Sequence, residues 1–493
     1  MGRQTQLTGS PAWIEIAAGG YALRAPALRG TVREMEAQQN ASRSCGGTLE
    51  APLMEALARA DVTAVKVFEI KPQAIDPAPA DGTRAGGLSM QDGAPAMLLR
   101  VPPLGADVEH AVLYTDEAGV SRWIFPVEPP VRADAASGPE FLLPRNAAPV
   151  SPGRDPDTRG PLTKLGRRLV RVLAWATEDI LGKGALAVAT AWERGRRPYA
   201  LRRFPLDDSR PIDWAALQGG LALLLVHGTF SSAAGAFALL PSDTVEALGR
   251  LYGGRMFAFD HPSLHHSPAD NVTQLLAMLP PGTDLQVDVV THSRGALVAR
   301  QLIGHQPAAA RLRVRRAVFV GAPHRGTVLA DSDHGIDMLD RYTNLFTDLP
   351  DDAFTLGAEA LFALAKLAYH GAVRGLPGLS SMHPEDSSLD RLNGIAVQAA
   401  AFHAIAADFK PVGSSLLARF GWKVADALVD GVFGEGNDGV VPTAGGYELR
   451  RAAAGFPIGD AQRLVYTQAD GMHHLNFFAD PRTGQSLLGW LAR

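Results

Sequence analysis

The sequence predicts an α/β architecture: a doubly wound, mainly parallel sheet with a helical lid insertion, preceded by a β-rich domain. Three observations predict it. From Leu221 onward, apolar runs of strand length alternate with helix-forming stretches, the pattern of parallel strands joined by crossover helices. Those runs are nearly continuous, as suits strands covered on both faces. Before them, to about Val127, short apolar runs are punctuated by Gly and Pro, which reads as small β structure.

Whole-chain properties set bounds. A chain of 493 residues has room for roughly two to four domains. Hydrophobic residues make up 46% and charged residues 20%, the balance of a soluble chain with sizeable cores. A net charge of −4 supplies no basic field, so nucleic acid is excluded as a partner. The single cysteine, Cys45, permits neither an internal disulfide nor a cysteine metal cluster, and it fits a reducing compartment. Met1 to Gln6 lacks an apolar leader core, and no apolar stretch reaches membrane-spanning length. A cytoplasmic protein without a transmembrane segment is the expectation.

In order, Trp13 to Ile16, Ala64 to Ile70, Ala96 to Val101 and Ala111 to Tyr114 read as strands. Asp116-Glu117-Ala118-Gly119 reads as a hairpin turn before Trp123-Ile124-Phe125. Together they define an N-terminal β-rich domain over residues 1–127. Residues 128–163 are dense in Pro, Ala, Gly, Asp and Arg and read as a linker. Residues 164–220 read as a helical connector, with a helix from Leu165 to Arg194. Its flanks are basic, with Arg167, Arg168 and Arg171 before and Arg196, Arg197, Arg202 and Arg203 after. That suits peripheral contact with an anionic membrane surface, or a packed helix whose arginines face water. Glu178, Asp179 and Glu193 dilute the charge and favour the second reading.

The second domain spans 221–493. Leu221 to Val226, Met256 to Phe259, Leu285 to Val290, Ala317 to Val320, Ala399 to Ala406 and Arg463 to Tyr466 read as its strands. Gly484 to Leu491 reads as a closing helix. An insertion at about 329–392, with a helix-like stretch from Ala353 to Tyr369, reads as a lid over a site.

Chemistry concentrates where the third of these strands ends. It runs into Thr291-His292-Ser293-Arg294-Gly295, and helix formers follow at once. This is the layout of a nucleophile elbow, a serine on a sharp strand-to-helix turn. Gly295 removes a Cβ that would clash where helix passes strand. The helix N-terminus aims N–H groups at charge that develops beside the serine. Thr291 stands where such elbows usually carry Gly. A serine nucleophile needs a base, and the base needs a group to orient it. Asp438 and the pair His473-His474 lie after later strands, in the order serine, acid, histidine. Asp438 is the preferred acid over Asp426, Asp430 and Asp470. His474 is the preferred base, with His473 as second choice.

An oxyanion needs two N–H donors. The amide of Arg294 is one. The amide of Thr229 or Phe230, after the flexible Gly228, is the other. His227, His292 and His261 are the candidate substrate-binding side chains. His261, His265 and His266 lie close enough together to suggest a metal site. Pro262 and Ser263 argue against a regular helix there and no acidic ligand is obvious beside them in the sequence, so no metal is assigned. Arg325 is expected to pair with a carboxylate in a structural role. The glycines of Gly431 to Gly436 follow no phosphate-loop pattern.

Four segments carry a family resemblance: His227-Gly228-Thr229-Phe230, Thr291-His292-Ser293-Arg294-Gly295, Gly321-Ala322-Pro323-His324-Arg325-Gly326-Thr327 and Asn437-Asp438-Gly439-Val440-Val441. Together they resemble bacterial true lipases and related α/β-hydrolases, over roughly Leu221 to Arg493. His474-Leu475-Asn476 is similar to that family's His-Leu-Asp around its histidine, which favours His474. Asn476 stands where secreted lipases place an Asp that supports calcium. The resemblance implies an α/β-hydrolase fold, esterase or lipase activity, and a Ser293–His474–Asp438 triad. The implied reaction cleaves a small-molecule or lipid ester through an acyl-enzyme and requires no cofactor. Two alternatives stand beside it. One is acyl transfer or thioester cleavage by the same triad. The other is a non-catalytic scaffold whose N-terminal domain binds an unidentified protein partner.

Overall fold

The structure is a computed structural model. It describes residues 2–35, 50–75, 96–105, 107–116, 121–127, 138–145, 167–176, 185–207, 209–304, 311–330, 335–346, 357–359, 361–362, 364, 376–394, 400–410, 435–450 and 455–492. Cys45, Glu117 to Gly119, Glu178, Asp179, Ala353, Tyr369, Asp426, Asp430 and Gly431 lie outside the described residues. The chain divides into two compact units, one within Met1–Asp179 and one within Ile180–Val412 and Val429–Arg493.

The first unit is mostly β structure. Its strands are β1 (Gln4–Thr8), β2 (Ile14–Ala17), β3 (Tyr21–Arg24), β4 (Leu28–Met35), β5 (Thr63–Ile75), β6 (Ala96–Arg100), β7 (Val108–Thr115), β8 (Ser121–Ile124), β9 (Glu140–Pro144) and β10 (Arg168–Ala176), with one helix, α1 (Glu50–Arg59). They form two antiparallel sheets, ordered β1-β4-β5-β10-β7-β8 and β2-β3-β6-β9. Phe68, Ile70, Val112, Tyr114, Phe141, Val170 and Val172 share their core.

Three expectations are corrected here. Leu165 to Arg194 is not one helix, because Arg168–Ala176 is a central strand paired with both β5 and β7. Val170 and Val172 are buried while Leu169 and Arg171 are only half-buried, a period of two. β-Branched valines suit that pleat. The stretch read as linker contains β9, which pairs with β6, so the β unit continues past residue 127. The span read as a helical connector holds β10 of the first unit and the first elements of the second.

Those elements are α2 (Ala185–Arg196), β11 (Ala200–Arg203) and α3 (Trp214–Gln218). There follow β12 (Ala222–Val226), α4 (Ala233–Phe237), α5 (Ser242–Leu251), β13 (Met256–Asp260), α6 (Pro268–Met278), β14 (Leu285–His292), α7 (Gly295–Gly304) and β15 (Leu312–Val320). Within the 329–392 insertion lie α8 (Gly335–Phe346), α9 (Pro377–Ser380) and the first part of α10 (Ser387–Asn393). The chain closes with β16 (Ala401–Ala407), β17 (Arg463–Tyr466) and α11 (Pro481–Leu491).

The sheet order is β11-β13-β12-β14-β15-β16-β17. Only β11 runs antiparallel to its neighbour; the other pairings are parallel. Leu224 and Val226 enter one core, and Leu223 and Leu225 the other, so β12 is buried on both faces. This order, with a strand-to-helix elbow after β14 and polar turns after β16 and β17, is that of an α/β-hydrolase fold.

Candidate active site

β14 ends at His292 and α7 starts at Gly295, so the chain reverses within two residues. Ser293 takes a φ of +53°, a left-handed conformation that costs a non-glycine residue energy. The surroundings hold it there. Its N–H donates to the Val320 carbonyl on β15 at 2.8 Å. A Cβ on Gly295 would lie 2.4 Å from the Val226 carbonyl oxygen, so only glycine lets α7 cross β12 this closely. Thr291, in the place of the usual Gly, is buried and directs its hydroxyl to the Val318 carbonyl at 3.4 Å.

The Ser293 hydroxyl lies 2.9 Å from His474 Nε2. His474 Nδ1–H donates to Asp438 Oδ2 at 2.7 Å. Asp438 is itself fixed: its Oδ1 accepts from the amides of Val440 at 3.0 Å and Val441 at 2.7 Å. The His474 amide donates to the Asp438 carbonyl at 2.9 Å. Asp438 and His474 are thus joined through both backbone and side chain. Gly321 (φ +58°) leaves room for His474, since a Cβ there would lie 3.3 Å from its ring. This is what the glycine of the Gly-Ala-Pro-His-Arg-Gly-Thr segment does.

His473 turns elsewhere. Its Nδ1 accepts from the Leu475 amide at 3.2 Å, and its ring meets Phe409 edge-on. Burial lowers its pKa to about 4. Asn476 accepts from the His473 amide at 2.8 Å and so braces the same turn.

Among the described residues, the amides of Thr229 and Arg294 make no hydrogen bond. Phe230 is corrected as an oxyanion donor: its amide already donates to Ser263 Oγ at 3.1 Å. The histidines expected to touch substrate have backbone partners. His292 Nε2–H donates to the His474 carbonyl at 2.8 Å and steadies the backbone there. Burial lowers its pKa to about 3. His227 donates from Nδ1 to the Gly228 carbonyl at 2.8 Å and accepts from the His261 amide at 3.1 Å. His261 stacks on His227, with ring centroids 4.1 Å apart. These rings pack against the backbone around the serine.

A model of a domain of unknown function, DUF7379, matches residues 195–492. The chain belongs to the DUF7379 family. No curated protein matches it in sequence. Among solved structures, it is similar to the mature form of lipase BlEst2 from Bacillus licheniformis, with 18% identity and a TM-score of 0.35, over 60% of this chain and 98% of that one. It is also similar to lipase 1 from Pelosinus fermentans, with 14% identity and a TM-score of 0.36, over 55% and 97% of the two chains. A third, the phospholipase PlaB from Legionella pneumophila, shows 13% identity and a TM-score of 0.32, over 46% of this chain and 45% of that one.

In this DUF7379 chain several supports of the site come from residues distant in the sequence. Glu193 of α2 is fully buried. It accepts from the amides of Ser263 at 2.5 Å, Leu264 at 2.9 Å and His265 at 3.0 Å, and pairs with His265 Nδ1 at 2.5 Å. Burial raises the Glu193 carboxyl, but the hydrogen bonds from His265 and Ser263 outweigh it and leave the pKa below its ordinary value. Through Ser263, this carboxylate fixes Phe230 and hence the loop that carries the Thr229 amide. The Arg294 guanidinium is also fully buried. It donates to the carbonyls of Gly378 at 3.0 Å and His266 at 2.5 Å, and to Asn271 Oδ1 at 3.0 Å. Burial lowers its pKa to about 10. Arg325 pairs with Glu435 at 3.4 Å, the carboxylate partner expected for it. Among the described residues, no group of three His, Cys, Asp or Glu side chains could hold a metal ion, and no helix is long and apolar enough to cross a membrane.

Proposed function

We propose that this chain is a serine hydrolase that cleaves carboxylic esters through an acyl-enzyme. One observation carries the reading: Ser293, His474 and Asp438 form an unbroken hydrogen-bonded line, with steps of 2.9 and 2.7 Å. Ser293 Oγ attacks the ester carbonyl carbon while His474 Nε2 takes its proton. The carbonyl electrons move onto oxygen, where the Thr229 and Arg294 amides receive the charge. Collapse breaks the C–O bond to the leaving group, and His474 returns the proton, so the alcohol departs. Water then attacks the acyl-enzyme with His474 again as base. The carboxylic acid leaves and Ser293 regains its hydroxyl proton. Asp438 keeps the imidazole in one tautomer and stabilises its charged form. None of these steps draws on a cofactor.

The 329–392 insertion supplies the reading of substrate class. Tyr342 of α8 packs against Phe230 and His474, with ring centroids 5.8 and 6.4 Å away. Met382 Sδ lies 3.6 Å from the Thr229 hydroxyl. Ser293 is only 3% exposed beneath them. We take the insertion as a lid that opens to admit an apolar acyl chain from a small-molecule or lipid ester. The test pairs hydrolysis of p-nitrophenyl esters with labelling by a fluorophosphonate. Wild type should do both and Ser293→Ala neither. If the two proteins behave alike, a scaffold role replaces the enzyme.

A further inference from the structure

Resting on the ester-cleaving reading of Ser293, we propose that the Thr229 hydroxyl is a third oxyanion donor beside the Thr229 and Arg294 amides. It turns from the Met382 sulfur to the substrate oxygen as charge develops there.

Thr229 is buried, and its hydroxyl donates to Met382 Sδ at 3.6 Å. A thioether is a weak acceptor. Other buried threonines of this unit find better ones. The Thr327 hydroxyl donates to the Val440 carbonyl at 2.6 Å, that of Thr283 to the Pro280 carbonyl at 2.7 Å and that of Thr343 to the Leu339 carbonyl at 2.8 Å. A buried hydroxyl paired with sulfur has most of its hydrogen-bond energy still to gain.

Position favours the same role. The backbone of Gly228 packs against the serine, where a Cβ would lie 3.2 Å from Ser293 Oγ, and Thr229 is the next residue. On its other side, the Phe230 amide is tethered to Ser263 Oγ at 3.1 Å. Thr229 is thus fixed at both ends. In the gauche χ1 wells a threonine hydroxyl stands on the same side as its own N–H, so the two can serve one acceptor. The sulfur can yield its place, because an unbranched methionine side chain turns about three bonds. Its main chain stays put, with the Thr327 amide donating to the Met382 carbonyl at 2.8 Å.

The chemistry follows. As Ser293 Oγ bonds to the ester carbon, the carbonyl electron pair moves onto oxygen. The Thr229 hydroxyl keeps its proton and donates a hydrogen bond to that oxygen. On collapse the pair returns to the carbonyl, and the hydroxyl goes back to sulfur. A donor with a weak partner in the ground state and a charged one in the transition state raises kcat and not substrate affinity.

The test is steady-state hydrolysis of p-nitrophenyl esters. Thr229→Val loses the hydroxyl at nearly equal volume, and its kcat should fall by about tenfold to a hundredfold with KM little changed. Thr229→Ser returns the hydroxyl and should recover most of that loss. Phenylboronic acid, whose tetrahedral adduct with Ser293 resembles the intermediate, should inhibit Thr229→Val about tenfold more weakly, and Thr229→Ser should restore the inhibition. A hydroxyl that only braces Met382 shifts the melting temperature and neither of these readings. The proposal is overturned if a natively folded Thr229→Val keeps wild-type kcat, if Thr229→Ser is as slow as Thr229→Val, or if boronate inhibition is unchanged. Should Thr229→Val fail to fold, Thr229→Ser against Thr229→Ala, which differ only in the hydroxyl, makes the same comparison with the same expected ratio. A wild type that hydrolyses no ester ends the ester reading and this one together, whereas an active wild type beside an unimpaired Thr229→Val ends this one alone.

Discussion

A Cβ placed on Gly228 would lie 2.6 Å from the Cβ of Ser293 and 3.2 Å from its hydroxyl oxygen. The loop that carries the Thr229 amide and the elbow that carries Ser293 therefore meet without a gap. Gly228→Ala must push one of them aside. A displacement of about 1 Å in a reacting geometry costs on the order of 10²-fold in rate. We expect ester hydrolysis to fall by about that factor, with a stability loss of about 1–3 kcal/mol from overpacking. Steady-state kinetics beside a urea titration checks both. An alanine variant with wild-type kcat/KM would mean that this contact does not set the site.

The adjacent histidines separate cleanly. His474→Ala removes the ring bonded to Ser293, and hydrolysis should drop by about 10⁴-fold or more. His473→Ala leaves that ring in place. It should lose stability, by a few kcal/mol at most, and keep most of its turnover at temperatures where it stays folded. The same substitutions followed by fluorophosphonate labelling give an independent reading. Labelling that survives in His474→Ala and vanishes in His473→Ala would reverse the assignment.

Acid should destabilise this fold through His292. Its folded pKa is lowered to about 3, chiefly by burial, against about 6.5 for a free histidine. The unfolded chain binds a proton as pH falls through 6.5, and the folded chain does not until near 3. The stability this residue contributes is therefore complete above about 6.5 and is lost as pH falls toward 3. At about 1.4 kcal/mol per pH unit, the loss between pH 7 and pH 4.5 is roughly 2–3 kcal/mol. His292→Gln can still donate to the His474 carbonyl but does not titrate. Chemical denaturation at the two pH values should show wild type losing about that much more than the variant. Equal losses would mean that His292 carries no such coupling.

How much of this was legible follows from what each element needs. β12 to β16 could be read because a strand buried on both faces must be apolar along most of its length. The turns that carry Ser293, Asp438 and His474 could be read because each has its own chemistry: an elbow needing Gly295, an Asn-Asp-Gly turn and a paired histidine. β10 could not, since Arg168 and Arg171 interrupt its apolar run, and its partners β5 and β7 come from distant parts of the chain. The histidines misled for a related reason. Local sequence does not show that His292 Nε2 and both ring nitrogens of His227 meet backbone groups. Glu193 was invisible as a support because its partners are amides 70 to 72 residues away. No local pattern announces a carboxylate that caps a distant loop.

That buried carboxylate gives the last prediction. Glu193 holds Ser263 through both amide and hydroxyl, and the Ser263 hydroxyl holds the Phe230 amide at 3.1 Å. Phe230 has a φ of +57°, so its loop is strained and depends on that tether. Two substitutions act on one path by different means. Glu193→Gln breaks a buried charged network and places a donor against backbone donors, which should cost about 3–5 kcal/mol of stability. Ser263→Ala removes only the last acceptor, which should cost about 1–3 kcal/mol. If the path positions the Thr229 amide, both should lower kcat by about tenfold with little change in KM, measured well below their melting temperatures. If Glu193 merely stabilises the fold, Ser263→Ala will keep wild-type kcat, and only the melting temperature of Glu193→Gln will move.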